Sequence, residues 1–281
     1  MSERASVTIV LPAWNEADRI GPSLAELFGW LERVGPPRAG GRSAAELGVW
    51  DVLVVDDGST DATVALVEAR PEAHPGPDGG APRLRVLRRP HAGKGAAVAA
   101  GILAATGDLV VFMDADMATP PDQIPLLTEA LADHEVALGS RVQPDGTDRR
   151  KSQPVYRRLL GKVYRALAGA WVTGAVPDTQ CGFKGFRRAA GGDLFARQRI
   201  GSIVFDAEVI HLARRRGYRV AIVPVEWADK RGSRMHVRPG LALRVLADLV
   251  RIPLLHRGVG RAEPGADADA PGRDPVGPSP D

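Results

Sequence analysis

A hydrophobic run, Val110–Met113, ends in Asp114-Ala115-Asp116. Side chains alternate faces along a strand, so positions i and i+2 project from the same face. Two carboxylates aimed together at a strand end offer hard oxygen ligands to a divalent cation such as Mg2+ or Mn2+. A cation held there would neutralise a substrate diphosphate. A lone D-x-D is more often an acidic turn, so its meaning depends on what shares its edge. Two further polar clusters also follow hydrophobic runs: Trp14-Asn15-Glu16 after Val7–Leu11, and Asp56-Asp57-Gly58-Ser59 after Val52–Val55.

The elements needed to bring these clusters together are legible. Val7–Leu11 does not alternate and reads as a strand buried on both faces, stopped by Pro12. Asn15 is placed to cap a helix through Ile20, Leu24, Leu27, Phe28 and Leu31, with spacings of three and four. Val34–Gly48 and Arg70–Pro82 read as loops. Strands are expected at Val52–Val55, Leu84–Leu87, Leu109–Met113 and Glu135–Gly139. Helices are expected at Thr63–Ala69, with Ser59 or Thr60 as cap, then at Gly95–Ala105 and Pro121–Ala132. Strands alternating with single crossover helices indicate an α/β fold with a mostly parallel central sheet. Such sheets bind ligands beyond the carboxyl ends of their strands, where all three clusters would lie. In the second half, Val155–Ala168 reads as a basic amphipathic helix. Phe186–Phe195, Phe205–Arg216 and Leu241–Leu255 read as helical, and Tyr218–Glu226 as a strand. Beyond Gly258 the Pro, Gly, Ala and Asp content predicts a disordered tail, residues 259–281.

Composition narrows the class. The 281 residues are 44% hydrophobic, enough for a sizeable core. A single cysteine, Cys181, excludes an internal disulfide and a Cys-rich zinc site. No run of apolar residues is long enough to span a bilayer, and the N-terminus lacks signal-peptide anatomy, so a cytoplasmic protein is expected. The net charge is +3. Basic residues concentrate in Arg141–Arg165, with eight Arg or Lys against two Asp, and in Arg214–Arg257, with eleven against three acids. Such stretches attract phosphates or anionic lipid. Aromatics at 5% argue against a stacking platform for nucleic acid. No G-x-G-x-x-G follows the first strand, and Gly93-Lys94-Gly95 lacks the rest of a P-loop. The histidines show no metal-ligand spacing, and Cys181 has no clear base partner.

With these pieces in place, the chain resembles inverting family 2 glycosyltransferases of the GT-A fold. More narrowly, it resembles dolichyl-phosphate β-glucosyltransferases and their prokaryotic polyprenyl-phosphate relatives. The segments that carry the resemblance are VTIVLPAWNEADRI, VLVVDDGSTDAT, RRPHAGKGAAVAAG, VVFMDADMATP, ALGSR, DTQCGFKGFRRAA, FDAEVIHLARRRGY and VPVEWADKRGSR, in family order over about residues 5–235. VDDGSTD with a downstream DAD is specific for family 2, and DTQCGFK marks the lipid-phosphate branch. The resemblance implies one catalytic domain over residues 1–258, with a nucleotide-binding part at about 5–140 and an acceptor-binding part at about 141–258.

It also implies roles. Pro12, Trp14 and Glu16 would lie by the nucleoside, Asp56 would contact the uracil with Asp57 beside it, and Lys94 would belong to a loop near the nucleotide. Asp114 would touch the sugar nucleotide, and Asp116 would be the principal ligand of Mg2+ or Mn2+. Arg141 and Arg157 would meet acceptor or donor phosphates, as would Lys230 or Arg231 in a later loop. In mannosyl-type relatives a Gln two residues past the second Asp faces the metal; Ala118 stands here, as in the glucosyl-type pattern. The implied reaction moves glucose from UDP-glucose to a polyprenyl phosphate with inversion. Asp178 is the candidate base if one exists, or else holds the donor sugar or fixes its loop. The implied location is peripheral, on an anionic membrane surface at the inner face of the cell membrane. Other readings keep the donor chemistry with another nucleotide sugar or a soluble hydroxyl acceptor, or give a nucleotidylyltransferase or a noncatalytic lipid- or nucleic-acid-binding protein.

Overall fold

The computed structural model describes residues 5–34, 49–76, 79–148, 166–174, 176–228 and 239–262. Seven strands form one sheet: β1 Val7–Ala13, β2 Trp50–Asp56, β3 Leu84–Arg88, β4 Leu109–Met113, β5 Val136–Ser140, β6 Phe183–Arg187 and β7 Val220–Pro224. Their order is β3-β2-β1-β4-β6-β5-β7. All neighbours run parallel except β6, which is antiparallel to both β4 and β5. The helices are α1 Ala17–Val34, α2 Thr63–Glu68, α3 Lys94–Ala104, α4 Ile124–Ala130, α5 Arg188–Arg197, α6 Phe205–Arg216 and α7 Pro239–Leu255. A one-turn π-helix, Gly169–Thr173, precedes β6.

Period-2 alternation sorts the strand residues into two buried layers. Ile9, Leu11, Val52, Val54, Val111 and Met113 pack on one face against α1 and α4 through Ile20, Leu24, Leu27 and Leu127. Val10, Leu53, Val55, Val110 and Phe112 pack on the other against α3, α5 and α6 through Val98, Ile102, Leu194 and Phe205. Burial on both faces is why these strands read as unbroken apolar runs. Pro12 does not end β1. Pairing with β4 stops at Val10↔Phe112, while pairing with β2 continues through Pro12↔Val55 and Ala13↔Asp56. The proline thus sits where the strand has one neighbour left, a position a ring without an N–H tolerates.

Phe186–Phe195 is not one helix. Its first residues belong to β6, which fills the sheet between β4 and β5, and α5 begins only at Arg188. Phe183-Lys184-Gly185-Phe186 is too short for periodicity to separate strand from helix, and contacts from both neighbours decide it. Arg215 and Arg216, at the end of α6, are tied to the chain that follows α7. They donate to the backbone carbonyls of Arg257, Val259, Gly260 and Arg261, so the ordered chain runs past Gly258. Residues 149–165 of the expected basic helix and residues 263–281 of the expected tail lie outside the described residues. Among the described residues no helix is long and apolar enough to cross a membrane.

Candidate active site

The strand order reverses direction between β1 and β4, the place where open α/β sheets form a crevice at the strands' carboxyl ends. Segments after β1, β2, β3, β4, β5 and β7 all emerge at that edge. Because β6 runs the opposite way, its beginning lies there too. The antiparallel strand is what delivers Asp178–Gly182 to the end of β4: Asp114 N–H donates to the Gly182 carbonyl at 3.0 Å.

The loops after β1 and β2 are knitted together. Ser59 Oγ, Thr63 Oγ1 and Asp61 Oδ2 accept the N–H groups of Asn15, Glu16 and Ala17 at 2.9, 2.7 and 3.1 Å. These are donors at the start of α1 that no intrahelical carbonyl can satisfy. Asn15 is therefore not the cap of α1. It takes a left-handed conformation (φ 54°), and its Oδ1 accepts from Thr60 N–H at 2.8 Å. The cap of α1 comes in trans, from the VDDGSTDAT segment. Glu16 forms a fork with Arg19 at 2.7 and 2.8 Å.

Asp56 and Asp57 are both buried but do different work. Asp57 Oδ1 accepts from Arg89 Nη1 and Ala92 N–H, and Oδ2 from Gly93 N–H at 2.8 Å, with His91 Nδ1 also at 2.8 Å. It clamps the loop after β3. Among the described residues Asp56 accepts only the longer contacts from Ser59 N–H, at 3.2 Å to each oxygen, so acceptor capacity remains there. Gly58 lies between the loops at φ +77°, and a Cβ on it would meet His91 N at 2.8 Å. His91 in turn stacks on exposed Trp14, ring centroids 4.6 Å apart. The clamp aims Lys94, at the start of α3, across the edge at Asp114, with Nζ 2.6 Å from Oδ1. Burial works against the Lys94 charge, but Asp114 and Asp206 outweigh it and hold its pKa above the ordinary lysine value.

Asp114 is pressed against Gly182: a Cβ there would lie 2.0 Å from Asp114 Oδ2. Asp116 Oδ1 accepts Ala118 N–H at 3.0 Å, and the turn that allows it puts Met117 at φ 51°. Burial first, and repulsion from Asp114 second, push the Asp116 carboxyl above its usual pKa. Among the described residues no group of three or more His, Cys, Asp or Glu side chains is placed to hold a metal ion.

Asp178 is buried and committed. Arg141 Nε and Nη2 form a fork on its two oxygens at 2.7 and 2.8 Å, and Arg141 N–H adds a third bond at 3.0 Å. Burial opposes the Arg141 charge, but Asp178 overcomes it and keeps the guanidinium pKa raised. The guanidinium also lies over Trp227, 5.6 Å from the ring centroid. Beneath them, Lys184 of β6 donates to Asp206 of α6 at 2.6 Å and to the Cys181 carbonyl. Both ammonium groups, of Lys94 and Lys184, sit over the Phe112 ring, at 5.6 and 5.9 Å. Burial pushes the Cys181 thiol up to about 12, which removes it as a nucleophile at neutral pH.

The structure thus gathers Pro12, Trp14, Glu16, Asp56, Asp57, Lys94, Asp114, Asp116, Arg141 and Asp178 at one edge. Arg157, Lys230 and Arg231 lie outside the described residues. Sequence reasoning missed Asp61 and Thr63 as the trans cap, Gly182 as the seat of Asp114, and the Lys184–Asp206 pair. The signal for that pair was a lysine inside an apolar run and an aspartate opening an apolar helix.

The sequence pattern of Glycosyl transferase family 2 matches residues 8–195. A dolichyl-phosphate beta-glucosyltransferase of Trichomonas vaginalis is 35% identical over 257 residues, 89% of this chain and 71% of that protein. The enzyme of the same name from Drosophila melanogaster is 31% identical, over 83% of this chain and 70% of that protein. Among solved structures, glucosyl-3-phosphoglycerate synthase from Mycobacterium tuberculosis with UDP superposes at TM-score 0.59 and 21% identity. The match covers 93% of this chain and 82% of the synthase. That synthase has also been crystallised with Mn2+, UDP and glucosyl-3-phosphoglycerate. The GT-A architecture, the paired carboxylates at the β4 end and the matched pattern agree: this chain belongs to glycosyl transferase family 2.

Proposed function

We propose that the protein transfers glucose from UDP-glucose to a polyprenyl phosphate, giving polyprenyl-phospho-β-glucose and UDP. The observation that carries the acceptor class is the state of Asp178. A sugar hydroxyl needs a general base, whereas a phosphate is largely ionised near neutral pH. The carboxylate best placed to be that base is already neutralised by the Arg141 fork. An acceptor that arrives as an anion fits a site built this way. The names of the relatives supply the sugar and the lipid.

Asp56, with acceptor capacity to spare, suits the uracil N–H, and exposed Trp14 on His91 offers an apolar face beside it. Asp116, helped by Asp114, would hold Mg2+ or Mn2+. Two hard carboxylates whose charges repel each other fit such a cation, with the donor diphosphate and water completing its shell. When bound, the cation supplies Lewis-acid neutralisation of the leaving diphosphate. Lys94 adds a positive charge at the same edge. Arg141, held rigid by Asp178 and Trp227, presents the rest of its guanidinium to phosphate oxygens. An acceptor oxygen forms a bond to the anomeric carbon as its bond to the UDP β-phosphate oxygen breaks, so the configuration inverts. Arg157, Lys230 and Arg231 are proposed to complete the acceptor-phosphate contacts. Membrane contact and a cytoplasmic location follow from the lipid acceptor and the nucleotide donor, and belong to the same proposal.

The test is a panel of radiolabelled nucleotide sugars offered with polyprenyl phosphate or with soluble sugars, each with and without Mg2+ or Mn2+. The expected result is organic-phase label from UDP-glucose only, dependent on the cation. Turnover confined to a soluble acceptor would overturn the lipid assignment.

A further inference from the structure

We propose that the outer face of α7, continued by the π-helical turn, seats the protein on an anionic membrane surface. This rests on the reading that the acceptor is carried by a lipid. The helix is two-sided. Leu249 and Ile252 are buried in a small core with Val172, Val204 and Ala207, which fixes α7 on α6 and the π turn. Leu246, Val250 and Leu254, four apart, form a stripe on the opposite side, and each is 45 to 48% exposed. Leu255 at 42%, Leu167 at 46% and Trp171 at 57% are further exposed apolar side chains on α7 and around the π turn. Trp171 is tied in by its indole N–H, which donates to the Val250 carbonyl at 3.4 Å.

Two features of the surroundings select the occupant. The charged side chains exposed along the helix are basic: Arg244, Arg251 at 63% and Arg257 just beyond. Its one acid, Asp248, is largely buried, accepts Ser202 Oγ at 2.8 Å and lies 3.9 Å from Arg251 Nη1, a loose pair that leaves the guanidinium exposed. An exposed apolar stripe flanked by arginines, with a tryptophan at its margin, is the composition of a helix lying in a headgroup layer. Anionic headgroups complement those arginines. The second feature is position. Ser202 joins α7 to the segment whose Gly201 carbonyl accepts Gly95 N–H at 3.0 Å, one residue from Lys94. The stripe is thereby tied to the donor edge, where a membrane-borne phosphate has to arrive.

The test is co-sedimentation of the full chain with phosphatidylcholine vesicles, with and without phosphatidylglycerol. The wild type should bind the anionic vesicles, and Leu246→Glu with Val250→Glu should lower the bound fraction about tenfold. In detergent, with a short-chain polyprenyl phosphate, this variant should transfer sugar at the wild-type rate. As a second readout, brominated lipid should quench tryptophan fluorescence less in Trp171→Phe. The inference is overturned if the wild type does not bind, if both proteins bind alike, or if quenching is unchanged. It is also overturned if light scattering shows that the double variant loses a dimer instead. Vesicle binding through the stripe without transfer to any polyprenyl phosphate would defeat the functional reading alone.

Discussion

At the scale of single residues, the site holds charges that oppose one another. Burial and Asp114 raise the Asp116 pKa, so the folded protein holds that proton more tightly than the unfolded chain. The contribution of this group to stability is complete below the ordinary carboxylate value and is lost as pH rises through the raised value. In the presence of chelator at neutral pH, Asp116→Asn should therefore raise the thermal midpoint, while reducing transfer roughly a hundred- to a thousandfold. A lower midpoint would contradict the electrostatic account. Gly182→Ala tests the seat of Asp114. With only 2.0 Å available, the carboxylate must move, and an about hundredfold loss of transfer is expected. Asp178→Asn separates base from positioning residue. The variant should lose about 3 kcal/mol of stability by leaving Arg141 buried and unpaired. The acidic limb of its pH–rate profile should keep its wild-type position; disappearance of that limb would reinstate Asp178 as a base.

At the scale of elements, the parallel half was legible because each strand is an apolar run followed by turn residues. β4 and α6 lie where the pattern put them, Leu109–Met113 and Phe205–Arg216. The strand that completes the site was not legible. β6 is five residues long, carries a lysine and a glycine, and is stabilised by neighbours distant in sequence. Without it nothing explains why Asp178–Gly182 reaches Asp114. The trans cap was hidden for a similar reason. Ser59 or Thr60 was the cap expected for the next helix, but α2 begins after Ala62 without a side-chain cap, and Ser59, Asp61 and Thr63 serve α1 instead. Replacing Asp61 by Ala should cost about 1 kcal/mol, as for lost helix caps, and should raise KM for the donor by loosening the Trp14 loop. Chemical denaturation and initial-rate kinetics measure the two effects.

At the scale of the molecule, one sheet edge receives seven chain segments, and a buried ion pair lies under their meeting point. Lys184 and Asp206 tie β6 to α6 between the two halves of the sheet. Asp206→Ala should destabilise the whole fold by about 3–5 kcal/mol in denaturant, because it strands a buried ammonium. The proposed reaction uses this architecture: the nucleotide diphosphate would be held at the β4 end, and the anionic acceptor would attack from the opposite face of the sugar. The anomeric configuration of the sugar in the organic-phase product, read by NMR after incubation with UDP-glucose and polyprenyl phosphate, tests that geometry most directly. The account predicts a β-linked glucosyl phosphate. An α-linked product, or label left entirely in the aqueous phase, would contradict it.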